Sequence, residues 1–143
     1  MRTLFDKSVL VAALVDQLGN HDAAFRAFHR YTEGGHSGYC STHTLAECYA
    51  TLTSLPVATR ISPDEARLLI DDAIFGRLAV VPLTPDDYRS VLRQIAVLGL
   101  GSGAVYDALH AQCARKERVD QILTYNLSDF ERFGLEGIVV TAP

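Results

Sequence analysis

Tryptophan is absent from this 143-residue chain, and methionine occurs once. Neither shortage prevents a core. Hydrophobic residues make up 48% and charged residues 21%, the balance of a folded globular protein rather than a disordered one. There is no internal repeat, no low-complexity tract and no linker rich in proline and serine. Fibrous and disordered classes are thereby excluded, and one domain spanning residues 1–143 is the expectation. No apolar run approaches the roughly 20 residues of a membrane-spanning helix. The three cysteines, Cys40, Cys48 and Cys113, form no CxxC pair. An odd number without that spacing reads as reduced thiols in a core. Cys40, His43 and Cys48 lie close together, but a fourth ligand is missing and the spacing matches no common zinc pattern. There is no Gly-x-Ser-x-Gly elbow. Gly99-Leu100-Gly101-Ser102-Gly103 lacks the later residues of a phosphate-binding loop and reads as a hinge or rim. A folded-looking strand begins at once, with no signal peptide ahead of it, so a cytoplasmic location is expected.

What is present is an alternation of strand and helix patterns. Arg2 to Phe5 reads as a strand, followed by a helix that Ser8 could cap, with Val9, Leu10, Ala13 and Leu14 buried. A second helix from about Asn20 to Tyr31 stops at Gly34-Gly35. Ser37 to Ser41 is the next strand, and Ser41 or Thr42 caps a helix carrying Leu45, Cys48, Tyr49, Leu52 and Leu55. Ser62-Pro63-Asp64-Glu65 and Thr84-Pro85-Asp86-Asp87 are strong helix starts, with a cap, a proline and first-turn acids. The first of these helices is expected to run to about Phe75 and the second to about Leu98. Ala79–Leu83, Gln121–Tyr125 and Gly137–Thr141 read as strands, Ala104–Lys116 as a helix and Leu127–Phe133 as a short helix or turn. This order implies an α/β fold with a mainly parallel sheet of about five strands and helices on both faces. Such sheets bind ligands beyond the carboxyl ends of their strands.

Four acids fall where the pattern switches: Asp6, Glu47, Asp107 and Asp129. Asp6 ends the first strand. Asp107 shares a helical stripe with Ala104, Ala108, Ala111 and Ala114, while Val105, Leu109 and Cys113 line the opposite side. That helix is expected to be deeply packed, and a carboxylate among alanines is either paired or bound to a metal. Glu47 and Asp129, each taken singly, read equally well as solvated acids in a first or second turn. The group as a whole points to a hard cation held by oxygen.

Four segments carry a family resemblance: Asp6-Lys7-Ser8-Val9-Leu10, Thr44-Leu45-Ala46-Glu47, Tyr106-Asp107-Ala108-Leu109-His110-Ala111, and Leu123-Thr124-Tyr125-Asn126-Leu127-Ser128-Asp129-Phe130. In this order, ahead of the closing Val139-Val140-Thr141-Ala142-Pro143, they resemble the PIN-domain ribonucleases, and most of all the VapC-type toxins of bacterial toxin–antitoxin pairs. The resemblance covers essentially the whole chain. It implies an endoribonuclease with Mg²⁺ or Mn²⁺ as cofactor. Asp6, Asp107 and Asp129 would hold the metal, and Glu47 would bind directly or through water. Asn126, Ser8 and Thr124, with Thr42, would be auxiliary polar groups. One or two ions would neutralise the phosphate, acidify a bound water and stabilise the leaving oxygen.

The net charge of −4 looks unfavourable for RNA, but it equals the charge of the four candidate ligands, so the rest of the chain is balanced. Lys7 and the Arg115-Lys116, Arg118 group are candidate RNA contacts, although the latter also suits a helix C-terminus on charge grounds alone. His110 reads as a packed or rim histidine. An antitoxin would be the protein partner, its peptide crossing the acids with an arginine or lysine. Leu52, Leu55, Leu68, Leu69 and Phe75 could form a partner groove, a homodimer face or simply core. Two alternatives stay open: a PIN-like binding module with weak or lost catalysis, and a flavodoxin-like phosphoacceptor receiver. The latter lacks the lysine expected after the last strand.

Overall fold

The computed structural model describes residues 1–143. Its strands are β1 (Arg2–Phe5), β2 (Ser37–Ser41), β3 (Leu78–Val81), β4 (Gln121–Leu123) and β5 (Val139–Thr141). They form one sheet in the order β3-β2-β1-β4-β5, and every neighbouring pair is parallel. The helices are α1 (Lys7–Leu14), α2 (His21–Thr32), α3 (Thr42–Ser54), α4 (Pro63–Leu69), α5 (Pro85–Val97), α6 (Ala104–Lys116) and α7 (Leu127–Glu131).

Alternation along the strands builds a core on each face. Phe5, Cys40 and Leu123 point to one side, where they meet α1 to α4 through Val9, Leu10, Leu52 and Ala66. Leu4, Tyr39 and Ile122 point to the other, against Cys113, Ala114 and Phe130. Each fully buried large side chain contributes about 1.5–3 kcal/mol. The two-faced burial is why these strands read as continuous apolar runs. Gly38 is required by close packing within this layer. A Cβ there would lie 2.4 Å from a methyl of Leu78 and 3.1 Å from the ring of Phe5.

The chain moves outward from β1 to β2 and β3, then returns to place β4 on the other side of β1. The strand order reverses between β1 and β4, which is where sheets of this class open a crevice. A flavodoxin-like receiver has the order 2-1-3-4-5. The observed order differs, and the receiver alternative is set aside.

Several boundaries differ from the sequence expectation. The helix starting at Pro63 keeps α-geometry only to Leu69 and continues as a π-helical segment from Ile70 to Phe75. β4 stops two residues early. The N–H of Tyr125 turns to the Ser8 hydroxyl at 3.0 Å, and that of Asn126 to the Thr124 hydroxyl at 2.9 Å. Both predicted helix starts are reciprocal capping boxes, Ser62 with Glu65 and Thr84 with Asp87. Leu52 is core, whereas Leu68 and Phe75 are exposed. No helix is long and apolar enough to cross a membrane.

Candidate active site

Asp6 leaves the C-terminal end of β1 as the N-cap of α1. The sequence suggested Ser8 for that role. Instead the Asp6 carboxylate accepts from the Ser8 backbone N–H, and the Ser8 hydroxyl donates to the same oxygen at 2.6 Å. From across the crevice, the Thr124 hydroxyl at the end of β4 donates to it at 2.8 Å. All three bonds fall on Oδ2, and Oδ1 accepts none. Asp6 is only 3% exposed. The nearby cations pair with other acids: Lys7 with Glu47, and Arg132 with Asp107 and Asp129. A buried carboxylate without a countercharge is costly.

Glu47 comes from the second turn of α3 and is better provided for. His110 of α6 lies 2.6 Å from its Oε1, His43 lies 3.7 Å from the same oxygen, and Lys7 Nζ lies 3.9 Å from Oε2. Burial works to raise the Glu47 pKa. The His110 hydrogen bond and the charges of His110, His43 and Lys7 outweigh it and hold the group below its ordinary value. His110 itself is buried, with Nδ1 facing the hydroxyls of Ser41 at 3.1 Å and Thr44 at 3.4 Å. Ser41, at the end of β2, also caps α3.

Asp107 was expected deep in the packed helix. It lies in the first turn of α6 with a side chain 23% exposed, because the exposed Gly101–Gly103 loop leaves that end of the helix open. The packed part of α6 begins at Ala108. Burial, followed by the charge of Asp6 and then those of Asp129 and Glu47, raises the Asp107 pKa to about 6, with His110 opposing. The other three acids therefore all act electrostatically on Asp107. Asp129, in the first turn of α7, is half-exposed. Arg132 Nη2 bridges Asp107 at 3.8 Å and Asp129 at 3.9 Å. As the side chains stand, the carboxylates line the crevice without closing on one point, and no three His, Cys, Asp or Glu groups are arranged to hold an ion. Asn126 is exposed beside α7, and Thr42 is exposed at the start of α3.

The basic group at the end of α6 does not gather at this crevice. Lys116 donates to Asp87 at 2.8 Å and to the Pro82 carbonyl, and Arg115 donates to the Phe133 carbonyl. Nine residues of helix separate Lys116 from Asp107, roughly 13 Å along the axis. Arg118 lies just beyond, in the left-handed region with φ 49°. Lys7 is the one predicted RNA contact found at the acids. Arg132 and Tyr106 are groups there to which the sequence assigned no role, and His43, weighed only as a zinc ligand, joins them. The i, i+3 spacing of Arg132 from Asp129 was the available signal. The thiols play no part at this site. Cys40, Cys48 and Cys113 are free and buried, and burial pushes Cys40 and Cys113 up to about 12.

Comparisons with known proteins identify the family and the fold. Residues 3–135 match the family model described as PIN domain. The chain is similar to Ribonuclease VapC27 of Mycobacterium tuberculosis, with 35% identity over 115 residues, covering 80% of this chain and 78% of that protein. It is similar to Ribonuclease VapC40 of the same organism, with 32% identity over 139 residues, covering 95% and 97%. Among solved structures, the Sarcin-Ricin loop cleaving toxin VapC20 of Mycobacterium tuberculosis superposes with a TM-score of 0.74 at 16% identity, covering 94% and 97%. VapBC2 from Rickettsia felis, bound to a DNA fragment from its promoter, gives 0.69 at 16% identity, covering 100% and 99%.

Proposed function

Because the chain belongs to the PIN-domain family, we propose that it is a divalent-metal-dependent endoribonuclease that hydrolyses RNA phosphodiester bonds as the toxin of a type II toxin–antitoxin pair. The observation that carries this reading is Asp6. It is a buried carboxylate at the strand-order reversal, with one oxygen fixed by three donors, the other accepting none, and no ion-pair partner. The curated relatives are ribonucleases, and solved neighbours include toxin–antitoxin complexes.

The donor set suits the cofactor. Carboxylates and hydroxyls dominate the crevice, the imidazoles of His43 and His110 are turned to Glu47, and no thiol lines it, which favours a hard cation, Mg²⁺ or Mn²⁺. Asp6, Asp107 and Asp129 would hold it, with Glu47 bound directly or through water. When bound, such a cation neutralises phosphate charge and lowers the pKa of a water. The chain's own residues prepare that site. Ser8 and Thr124 fix Asp6, His110 fixes Glu47, and Arg132 offsets the repulsion between Asp107 and Asp129. Its two contacts, near 4 Å and half-exposed, are weak enough to give way. Lys7 and Arg132 then flank the crevice as partners for RNA phosphates. An antitoxin segment carrying a basic side chain would close the same acidic crevice, and the protein would act in the cytoplasm, where its RNA is.

The test is cleavage of RNA by the wild type, Asp6→Asn and Asp107→Asn with Mn²⁺ and with EDTA. Cleavage that needs the metal and falls at least 100-fold in both variants is expected. Equal activity in all three proteins would sink the proposed acidic site, and no cleavage by the wild type would favour a binding module without catalysis.

A further inference from the structure

Beside the acids lies an aromatic pair that the metal site does not use. His43 of α3 and Tyr106 of α6 stack with ring centroids 4.9 Å apart and an interplanar angle of 8°. The other aromatic pairs in the molecule are tilted or edge-on, with interplanar angles of 40° to 89°. Tyr106 is adjacent in sequence to Asp107, and His43 sits one helical turn before Glu47. The stack therefore spans the two helices that supply these acids.

Its exposure is graded. The His43 side chain is 22% exposed, while Tyr106 is 46% exposed. His43 covers one face of Tyr106 and leaves the remainder of the phenol open. No hydrogen bond of the Tyr106 hydroxyl accounts for its position, and the His43 Nε2 is buried without a hydrogen-bond partner. Ring contact holds the pair. The next residues on the N-terminal side, Gly101, Ser102 and Gly103, are exposed, and a Cβ at Gly103 would come no closer than 3.9 Å to the phenol ring. A flat, solvent-facing aromatic surface beside a crevice for phosphodiesters matches an unstacked nucleobase. Proteins that take single-stranded RNA supply such platforms because every base has a π-face.

We propose that the Tyr106 ring, backed by His43, is the stacking platform for one base of single-stranded RNA next to the scissile phosphate. The proposal rests on the ribonuclease reading above and deepens it. It favours a flexible loop or single strand as substrate, since a paired base would first have to break its own pairing and stacking to lie on Tyr106. Stacking alone accepts any base, so this surface positions RNA without reading its sequence.

The absence of native tryptophan supplies the test. Tyr106→Trp places a lone fluorophore at the platform. In Asp6→Asn, Tyr106→Trp protein, titration with a single-stranded RNA oligonucleotide is expected to quench that fluorescence. An abasic oligomer of the same length is expected not to. In cleavage assays with the Asp6-intact protein, Tyr106→Ala should raise KM about tenfold with a much smaller change in kcat, and Tyr106→Phe should restore the KM that alanine loses. Equal quenching by the abasic oligomer would mean backbone contact only and overturn the platform. Unchanged KM in Tyr106→Ala would overturn it while leaving the ribonuclease reading intact. Unchanged KM with weakened antitoxin binding would assign the ring to a protein contact instead. If Asp6→Asn cleaves like the wild type, the proposed acidic site fails, and the quenching comparison still decides whether a base stacks. A wild type that neither binds nor cuts RNA would overturn both.

Discussion

His110 Nε2 and Glu47 Oε1 are 2.6 Å apart, joining the interior of α6 to the acid on α3. An ionised carboxylate only accepts, so the proton belongs on Nε2, and the other ring nitrogen faces the hydroxyls of Ser41 and Thr44, which can serve as donors to it. A buried chain of polar groups thus runs from the end of β2 to the crevice. Such a chain is stabilising only while every member is satisfied. His110→Ala leaves Ser41 and Thr44 facing a void and frees Glu47. Chemical denaturation is expected to show a loss of about 1–3 kcal/mol. A stability equal to wild type would mean that the network contributes nothing.

Asp107→Asn should act in opposite directions on stability and on metal response. The carboxylate is partly buried and faces the charges of Asp6, Asp129 and Glu47. Removing its charge relieves that repulsion. In EDTA at neutral pH the variant should melt about 2–4 °C above wild type. Millimolar Mn²⁺ should stabilise the wild type and have little effect on the variant. Equal Mn²⁺ shifts in both proteins would exclude Asp107 from the metal site.

Asp87 gives the acid-side pH dependence. Burial tends to raise its pKa. The hydrogen bond from Lys116, with those from the Thr84 backbone, Gln112 and the Thr84 hydroxyl, lowers it to about 2, against 3.8 ordinarily. A folded-state pKa below the unfolded value stabilises the protein above the unfolded pKa, and that contribution is lost as pH falls through the folded pKa. The Asp87 contribution should therefore be complete above about pH 4 and vanish near pH 2. Asp87→Asn is expected to cost about 1–2 kcal/mol at pH 7, through the capping box and the Lys116 contact. Melting curves of the two proteins should converge between pH 4 and pH 2. A constant gap across that range would contradict this assignment.

Gly38→Ala probes the packing that holds β2 in place. The new methyl would overlap Leu78 at 2.4 Å and crowd Thr32 at 3.0 Å. Both neighbours lie between packed elements, so relief requires displacement. A loss of about 1–3 kcal/mol by urea denaturation is expected. A neutral substitution would show that the Leu78 side chain rotates away freely.

The sequence by itself determined the order of elements and the places of the acids. Strand and helix periodicities differ, so α1 to α7 and β1 to β5 announced themselves locally. The starts at Ser62 and Thr84 were legible because a capping box is closed within four residues. Asp6 was legible because it ends an apolar strand. Periodicity tells which face of an element a side chain occupies, but not what lies across from it. Only the tertiary structure decided that β4 returns beside β1, and with it that Thr124 meets Asp6 from 118 residues away. The same through-space pairing gave Glu47 to His110 and left Asp6 buried without a countercharge. It also stacked Tyr106 on His43. It turned the basic end of α6 inward to Asp87 and Phe133 and left Lys7 and Arg132 as the cations at the crevice. These pairings follow from strand order and helix packing, which no local pattern of residues encodes.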